Sequence, residues 1–320
     1  MSSESCLICQ KPTNSFNYGI FSCNACKIYF RRVILGKPVA KCSHTASIPL
    51  TCRFCRLKKC IESGMSFQSR DIQSDCDTLT KWINNLKVLY THRKRLILNC
   101  RFDGDPTIEE LAALPGPLVF QSRPKDYKMG ILEWGVLIAL STIDYFKKFN
   151  FFNLLELKDQ VILIQQSFSD FDTLSGSFKA VELKKAEFLN PDGTDIFLKM
   201  DSGVCEVLEN NIRCKLVGRM CELKITLEEF LLLTAVFLCN PALSDLSAKS
   251  ILSTYQKVYT SALLHYCMMT HQQNGTTRFT DLLSLFHSVK IAHQEIRTHY
   301  YFCIIQKPNL PFRNMFSHEF

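Results

Sequence analysis

Two pairs of closely spaced cysteines near the start of the chain constrain its fold more than any other feature. Cys6 and Cys9 form one Cys-x2-Cys pair, Cys23 and Cys26 form another, and thirteen residues separate the pairs. A two-residue spacing lets both thiolates of a pair point at one ion from a tight turn, and two pairs supply the four soft ligands of tetrahedral zinc. The pattern therefore predicts a zinc site. No strand–helix unit surrounds either pair, which argues against a redox motif.

Cysteine is concentrated in the first quarter of the chain. Residues 1–75 contain eight of the 16 cysteines, and a second group of four follows the first, at Cys42, Cys52, Cys55 and Cys60. The chain begins without the basic and apolar stretches of an export signal, so we expect these cysteines to bind metal rather than to form disulfides.

Positive charge is concentrated in the same quarter. Residues 1–75 hold 11 Lys+Arg against 4 Asp+Glu, which accounts for most of the net charge of +8 and indicates an anionic partner. The residues after Cys23 divide into two faces at helical spacing. A polar face contains Asn24, Lys27, Ile28 and Arg31, and an apolar face contains Cys26, Tyr29, Phe30 and Val33. A helix of this kind suits the DNA major groove, since one face offers donors and charge and the other packs on the metal module. The alternative is a solvated basic face on a purely structural module.

These residues resemble the DNA-binding domain of nuclear receptors, and Cys23-Asn24-Ala25-Cys26-Lys27 resembles its expanded nematode branch. The matching motifs are Tyr18-Gly19, Cys26-Lys27-x-Tyr29-Phe30-Arg31-Arg32 and Cys52-Arg53-x-Cys55-Arg56-x2-Lys59-Cys60-x3-Gly64-Met65. The resemblance implies a small, α-rich domain over residues 1–75 that binds two zinc ions, with modules at 6–26 and 42–60. It also implies a set of metal ligands (Cys6, Cys9, Cys23, Cys26, Cys42, Cys52 and Cys55) and a set of contacts to double-stranded DNA (Asn24, Ala25, Lys27, Ile28, Arg31, Arg32 and Arg56).

The chain departs from the family pattern at two points. Only nine residues separate Cys42 from Cys52, and no cysteine lies between them, so one ligand of the second module is missing from the pattern. His44 is one candidate for the fourth ligand and Cys60 is another. Asn24 stands where many family members have Glu, and because Asn pairs with adenine whereas Glu accepts from cytosine, we expect a different DNA half-site.

The rest of the chain is predicted to be helical. Residues 67–77 are polar and aperiodic, and the apolar spacing of Leu79, Trp82, Ile83, Leu86 and Leu89 predicts a hinge and linker helix over 76–100. The basic run His92–Arg95 suits a solvated helix face, a phosphate contact or a localisation signal. Capping boxes begin at Thr107 and Thr226, and the turn residues 190–193 predict a short hairpin. No common catalytic motif and no apolar stretch of ~18 residues appears, so we expect neither an enzyme nor a membrane span.

One stretch of this part has a second family signature. Tyr145-Phe146-Lys147-x4-Phe152-x2-Leu155-x3-Asp159-Gln160-x2-Leu163-Ile164 resembles the ligand-binding domain of nuclear receptors. The resemblance implies an all-α three-layer helical sandwich over 101–320, with a pocket for a small apolar ligand and a groove for coregulator helical peptides. Lys147 falls at the position of the groove lysine, and Glu319 in the irregular tail is the candidate acid at the groove's other end. A receptor dimer partner and a location in the nucleus are further implications.

The sequence as a whole predicts a sequence-specific, zinc-dependent transcription factor of the nuclear receptor type. Two alternatives remain at this point. One is a receptor-like protein whose shortened second module weakens DNA binding, so that it acts as a dominant-negative partner. The other is a zinc-bearing protein-interaction module, which would need interleaved ligand spacing.

Overall fold

The computed structural model describes residues 4–36, 39–42, 44, 49–67, 76–197, 206–308 and 314–316. Its helices are, in chain order, α1 (Asn24–Ile34), α2 (Arg53–Glu62), α3 (Cys76–Asn99), α4 (Ile108–Ala113), α5 (Ile131–Lys147), α6 (Asn150–Leu154), α7 (Leu157–Glu182), α8 (Glu206–Glu222), α9 (Leu227–Leu238), α10 (Lys249–His271) and α11 (Gly275–Gln306). Short 3-10 helices cover Gln272–Asn274 and Asn314–Phe316. Two antiparallel pairs join β1 (Phe16–Asn17) to β2 (Ile20–Phe21) and β3 (Cys100–Arg101) to β4 (Gln121–Ser122).

The first domain is built around a small hairpin and two helices. The turn between β1 and β2 places Tyr18 and Gly19 at φ of 53° and 90°, the left-handed values that a tight hairpin turn requires. Tyr18, Phe30 and Phe67 then pack ring against ring, with centroids 5.0–5.7 Å apart. Helix α2 ends where Gly64 takes a φ of 96° and Met65 donates its amide to the Cys60 carbonyl. Gly64 and the hydrogen bond of Met65 thus end α2.

The second domain is the predicted three-layer helical sandwich. Helices α7 and α9 form the middle layer, α3 and α5 pack on one side, α8 and α11 lie on the other, and α10 packs against α9 and α11. Both predicted capping boxes are present, at the starts of α4 and α9. The turn at 190–193 is also present, but no strand accompanies it in the described part of the chain. The strands of this domain are instead β3 and β4, which pair across the segment that contains α4.

The Asp159–Gln160 pair of the second signature is buried and joins three segments. Asp159 accepts hydrogen bonds from the backbone amides of Ser247 (2.8 Å) and Ala248 (2.9 Å), where α10 begins. Gln160 donates to the carbonyls of Phe152 and Leu155, at the end of α6. A buried carboxylate that accepts hydrogen bonds from two backbone amides satisfies donors that would otherwise lack partners. The Asp159–Gln160 pair therefore fixes α6, α7 and α10 relative to one another.

The basic run 92–95 is only partly a solvated face. Arg93 is 4% exposed and donates to Ser175, Thr142 and Asp172, with distances of 2.6, 2.8 and 2.8 Å. Lys94 pairs with Glu182, whereas Arg95 is exposed. Helix α3 thereby joins the helical body, packing against α5 and α9.

The two domains contact each other near the end of α1. The Trp82 indole donates to the Leu35 carbonyl (3.2 Å), and the Asn150 amide donates to the Gly36 carbonyl (3.0 Å). These two carbonyls follow the last turn of α1, where backbone acceptors lack partners within the helix. In the part of the chain that the structure describes, no helix combines the length and apolar character that crossing a membrane requires.

We predict that Asp159→Ala lowers the free energy of unfolding by about 2–4 kcal/mol, because two buried amides lose a charged acceptor. Urea unfolding followed by circular dichroism measures the change. Asp126→Ala, which removes an exposed carboxylate, is the matched control and should unfold as the wild type does. Equal stability of the two variants would contradict the role assigned to Asp159.

Candidate metal centres and nucleic-acid interface

The first cysteine cluster gathers four sulfurs around one point. Cys6 and Cys9 lie in the turn before β1, Cys23 directly precedes α1, and Cys26 lies in its first turn. All four sulfurs lie within 4.8 Å of one another, and the Cys9 and Cys23 sulfurs are 3.6 Å apart. Zinc–sulfur bonds of ~2.3 Å in a tetrahedron separate the sulfurs by about 3.8 Å, so the cluster has the dimensions of a zinc site.

The second cluster contains His44. The Cys42, His44, Cys52 and Cys55 ligand atoms all lie within 4.8 Å of one another, with 3.3 Å between the Cys42 and Cys55 sulfurs and 3.7 Å from Cys55 to His44 Nδ1. Cys60 is fully buried in the domain core and is not part of this group. Of the two candidates for the fourth ligand, the geometry therefore favours His44.

The electrostatics of the clusters fit a bound dication. Burial, followed by the neighbouring Cys42 and Cys52 sulfurs, raises the pKa of Cys55 to about 12, because adjacent thiolates repel one another. In contrast, hydrogen bonds from the backbone and then the side chain of His44 lower the pKa of Cys42 to about 6. Crowded thiolates repel one another unless a cation lies between them, and three thiolates with one neutral imidazole are a donor set that zinc accepts.

Helix α1 presents its predicted polar face to solvent. Asn24, Ala25 and Arg32 are exposed, Ile28 is 47% exposed, and Lys27 and Arg31 are half-buried. On the opposite face, Cys26, Phe30 and Val33 are buried. The metal cluster and the aromatic core thus hold one side of α1, and Asn24, Ile28 and Arg32 are exposed on the other side.

Arg56, also predicted to contact DNA, lies between the two modules. Its Nη2 donates to the Cys26 sulfur at 3.3 Å, and its guanidinium lies 4.3 Å from the centre of the Tyr29 ring. The Tyr29 hydroxyl donates in turn to the Arg53 carbonyl, which links α1 to α2. The structure does not bring the Arg56 guanidinium to the α1 face, and a phosphate contact by Arg56 stays a prediction.

The helical domain contains a cavity of about 250 Å³ between α3, α5, α7 and α11. Its walls are mainly apolar, with Ile97, Ile138, Phe168 and Phe188 among the lining residues. Lys179 also lines the cavity, and its buried Nζ has no hydrogen-bond partner among the described residues. Burial, followed by the nearby Lys94 and Arg93 cations, lowers the pKa of Lys179 to about 8. Sequence reasoning missed this lysine, because nothing in its local pattern separates it from a surface residue.

Lys147 is half-buried at the end of α5. Its Nζ donates to the carbonyls of Leu111 (2.9 Å) and Leu114 (2.7 Å), which close the C-terminal end of α4. Burial lowers the pKa of Lys147, and the Asp144 carboxylate partly opposes this. Glu319, its predicted counterpart, lies outside the described residues.

We predict that His44→Ala weakens zinc binding in the second cluster and leaves the first cluster unchanged, because only the second loses a donor. Mass spectrometry of the intact protein during a chelator titration counts the bound ions. The wild type should hold two zinc ions, and the variant should lose one of them at a lower chelator concentration. Unchanged retention of both ions would show that His44 is not a ligand, and Cys60→Ala serves as the control for the other candidate.

Comparisons with known proteins agree with this architecture. The family model for the ligand-binding domain of nuclear hormone receptors matches residues 121–306. The family model for the double treble clef zinc finger of the C4 type matches residues 4–67. Among Caenorhabditis elegans proteins, nuclear hormone receptor family member nhr-167 is 34% identical over 315 residues, covering 93% of this chain and 91% of the relative. Family member nhr-9 is 34% identical over 303 residues, covering 92% and 90%. The chain therefore belongs to the nuclear hormone receptor family and is a zinc-dependent, DNA-binding transcription factor of that type.

Proposed function

We propose that the exposed face of α1 enters the DNA major groove and reads its sequence. The observation that carries this proposal is the division of α1 into a buried face on the metal module and a polar, positively charged face on which Asn24, Ile28 and Arg32 are exposed. Asn24, Ala25 and Ile28 are suited to base edges, whereas Lys27, Arg31 and Arg32 suit guanine or phosphate. Asn24 favours adenine, and the exposed Ile28 side chain offers an apolar contact for a thymine methyl group.

A set of four ligands is proposed for each of the two zinc ions that support this helix. The first ion is bound by Cys6, Cys9, Cys23 and Cys26, and the second by Cys42, His44, Cys52 and Cys55. Each set comes from one continuous part of the chain, whereas a cross-brace interaction module interleaves its ligands. The donor set of the second module has four members, so the geometry does not favour the dominant-negative alternative, which rested on a deficient module.

The helical domain is proposed to regulate transcription through a small ligand and through coregulator helices. The size and the lining of the cavity suit an apolar molecule, and the Lys179 ammonium, which no described residue pairs with, suits an acidic group on that molecule. Lys147 is positioned to hold the carbonyl end of a docked helix. Action in the nucleus, a receptor dimer partner and the absence of catalysis complete the proposal, and each rests on family membership. Residues 1–75, 76–100 and 101–320 are the proposed DNA-binding, linker and ligand-binding regions.

We predict that Lys27→Ala weakens DNA binding by about 1–3 kcal/mol and leaves the domain folded, because Lys27 lies on the polar face of α1. Phe30→Ala should instead unfold the domain, with about 3–5 kcal/mol of lost stability, because Phe30 is fully buried. Fluorescence anisotropy with labelled duplex DNA at several salt concentrations measures affinity, and circular dichroism measures folding. Unfolding by Lys27→Ala, or unchanged affinity, would mean that the face has been assigned incorrectly.

We also predict that the cavity binds dodecanoate more tightly than dodecanol, by about tenfold, because only the acid pairs with Lys179. Isothermal calorimetry with both compounds measures the difference. Lys179→Met removes the charge at similar length, so it should abolish the preference and leave dodecanol binding nearly unchanged. A preference that survives Lys179→Met would contradict the proposed anion contact.

A further inference from the structure

Helix α4 occupies a position that the proposed function assigns to an external helix. Lys147 donates to the carbonyls of Leu111 and Leu114, the last acceptors of α4. A lysine that holds the carbonyl end of a docked helix is what a coregulator groove requires. Here the helix that Lys147 holds belongs to the same chain.

The apolar face of α4 is directed into the helical domain. Ile108, Leu111 and Ala112 are 2%, 0% and 5% exposed, at positions i, i+3 and i+4, whereas Glu109 and Glu110 are exposed. These three residues form one apolar stripe, and α4 packs against α7 with it. A six-residue helix with one apolar stripe in an apolar groove is bound as a helical peptide ligand would be.

Contacts at the amino-terminal end of α4 fix its direction. The Gln165 amide of α7 lies 3.3 Å from the Glu109 carboxylate, and Lys147 lies at the opposite end of α4. The C-terminal 3-10 helix also reaches this end, because Asn314 donates its backbone and side-chain amides to Asp105, at 2.9 and 3.1 Å. Met315 beside it is buried. Both ends of α4 are therefore held, as the two ends of a docked peptide helix would be.

An open space adjoins the C-terminal end of α4. A cavity of about 900 Å³ is lined there by Ala112, Leu114 and Lys147, and it extends to Gly36 after α1 and to Trp82 of α3. Alanine at position i+4 buries little apolar surface, so a helix with leucine there would bury more of it. The connection from α4 to α5 is anchored where Leu118 donates its amide to Asp144 (3.1 Å) and where β4 pairs with β3. The stretch Pro115–Pro117 between α4 and these anchors is therefore a short tether that keeps a released α4 close to the groove.

We propose that α4 is a built-in occupant of the coregulator groove and that a partner helix binds only by displacing it. The inference rests on the proposed coregulator function of the groove. A tethered occupant acts at a high effective concentration, so it suppresses weak ligands and yields to stronger ones. The favoured partner is an amphipathic helix with large apolar residues at i, i+3 and i+4 and its carbonyl end at Lys147.

The test uses the full-length, zinc-loaded protein and two fluorescent peptides. One peptide copies residues 104–117 of this chain, and the other is an alanine-based helix with leucines at i, i+3 and i+4. Leu111→Asp places a charge in the groove contact and should release α4, so we expect both peptides to bind this variant at least about tenfold more tightly than the wild type. Adding Lys147→Ala to Leu111→Asp should remove most of that gain.

Controls separate displacement from loss of structure. Val119→Asp adds the same charge at a site that is 84% exposed, and it should leave peptide affinity at the wild-type value. DNA affinity should be retained in Leu111→Asp, and the helix content by circular dichroism should differ from the wild type by no more than the six residues of α4. The unfolding midpoint should fall, because the burial of Leu111 is lost, but unfolding should stay cooperative.

The peptide titrations test two statements separately: that α4 occupies the groove, and that the groove binds coregulator helices. Equal binding of the leucine peptide to wild type and Leu111→Asp would overturn the occupant and leave the coregulator function standing. If only the 104–117 peptide binds, and only to Leu111→Asp, the role of α4 as occupant of the groove is supported and the coregulator function of the groove is overturned. Failure of both peptides to bind either protein would overturn both.

Discussion

The convergence of four ligand atoms in each cysteine cluster is the constraint on which the DNA-binding part of the molecule depends. Cys26 and Cys55 belong at once to a cluster and to the first turn of a helix, so each ion fixes where α1 or α2 begins. The aromatic core of Tyr18, Phe30 and Phe67 is small, and domains below about 70–80 residues commonly add a metal or disulfides to a core of limited size. Fixing α1 leaves Asn24, Ile28 and Arg32 exposed on its polar side.

In the helical domain, hydrogen bonds rather than metal ions fix the ends of the helices. Asp159 and Lys147 each satisfy two backbone groups at a helix end, one with a carboxylate and the other with an ammonium. Trp82 and Asn150 do the same for the carbonyls that follow α1. Helix ends carry backbone groups that lack partners within the helix, so these side-chain contacts join separate segments where the helices alone would leave donors or acceptors unpaired.

The sequence predicted local features far better than the packing of separate segments. The cysteine spacing, the two faces of α1 and both capping boxes are short-range patterns, and the structure contains each of them. The burial of Arg93 depends on Thr142, Asp172 and Ser175, which are 49 to 82 residues away, so a basic run gave no indication of it. The position of α4 on Lys147 likewise depends on a contact between distant segments, and Glu319 lies outside the described residues.

The most direct test of the central claim is selection of bound sequences from a random duplex DNA pool, with the wild type and with Asn24→Glu. If α1 reads the bases, the wild type should enrich one defined motif, and Asn24→Glu should enrich the same motif with adenine replaced by cytosine at a single position. The substitution removes no metal ligand and lies on the exposed face, so the domain should keep both zinc ions. An identical motif from both proteins, or no enriched motif from zinc-loaded wild type, would contradict the account.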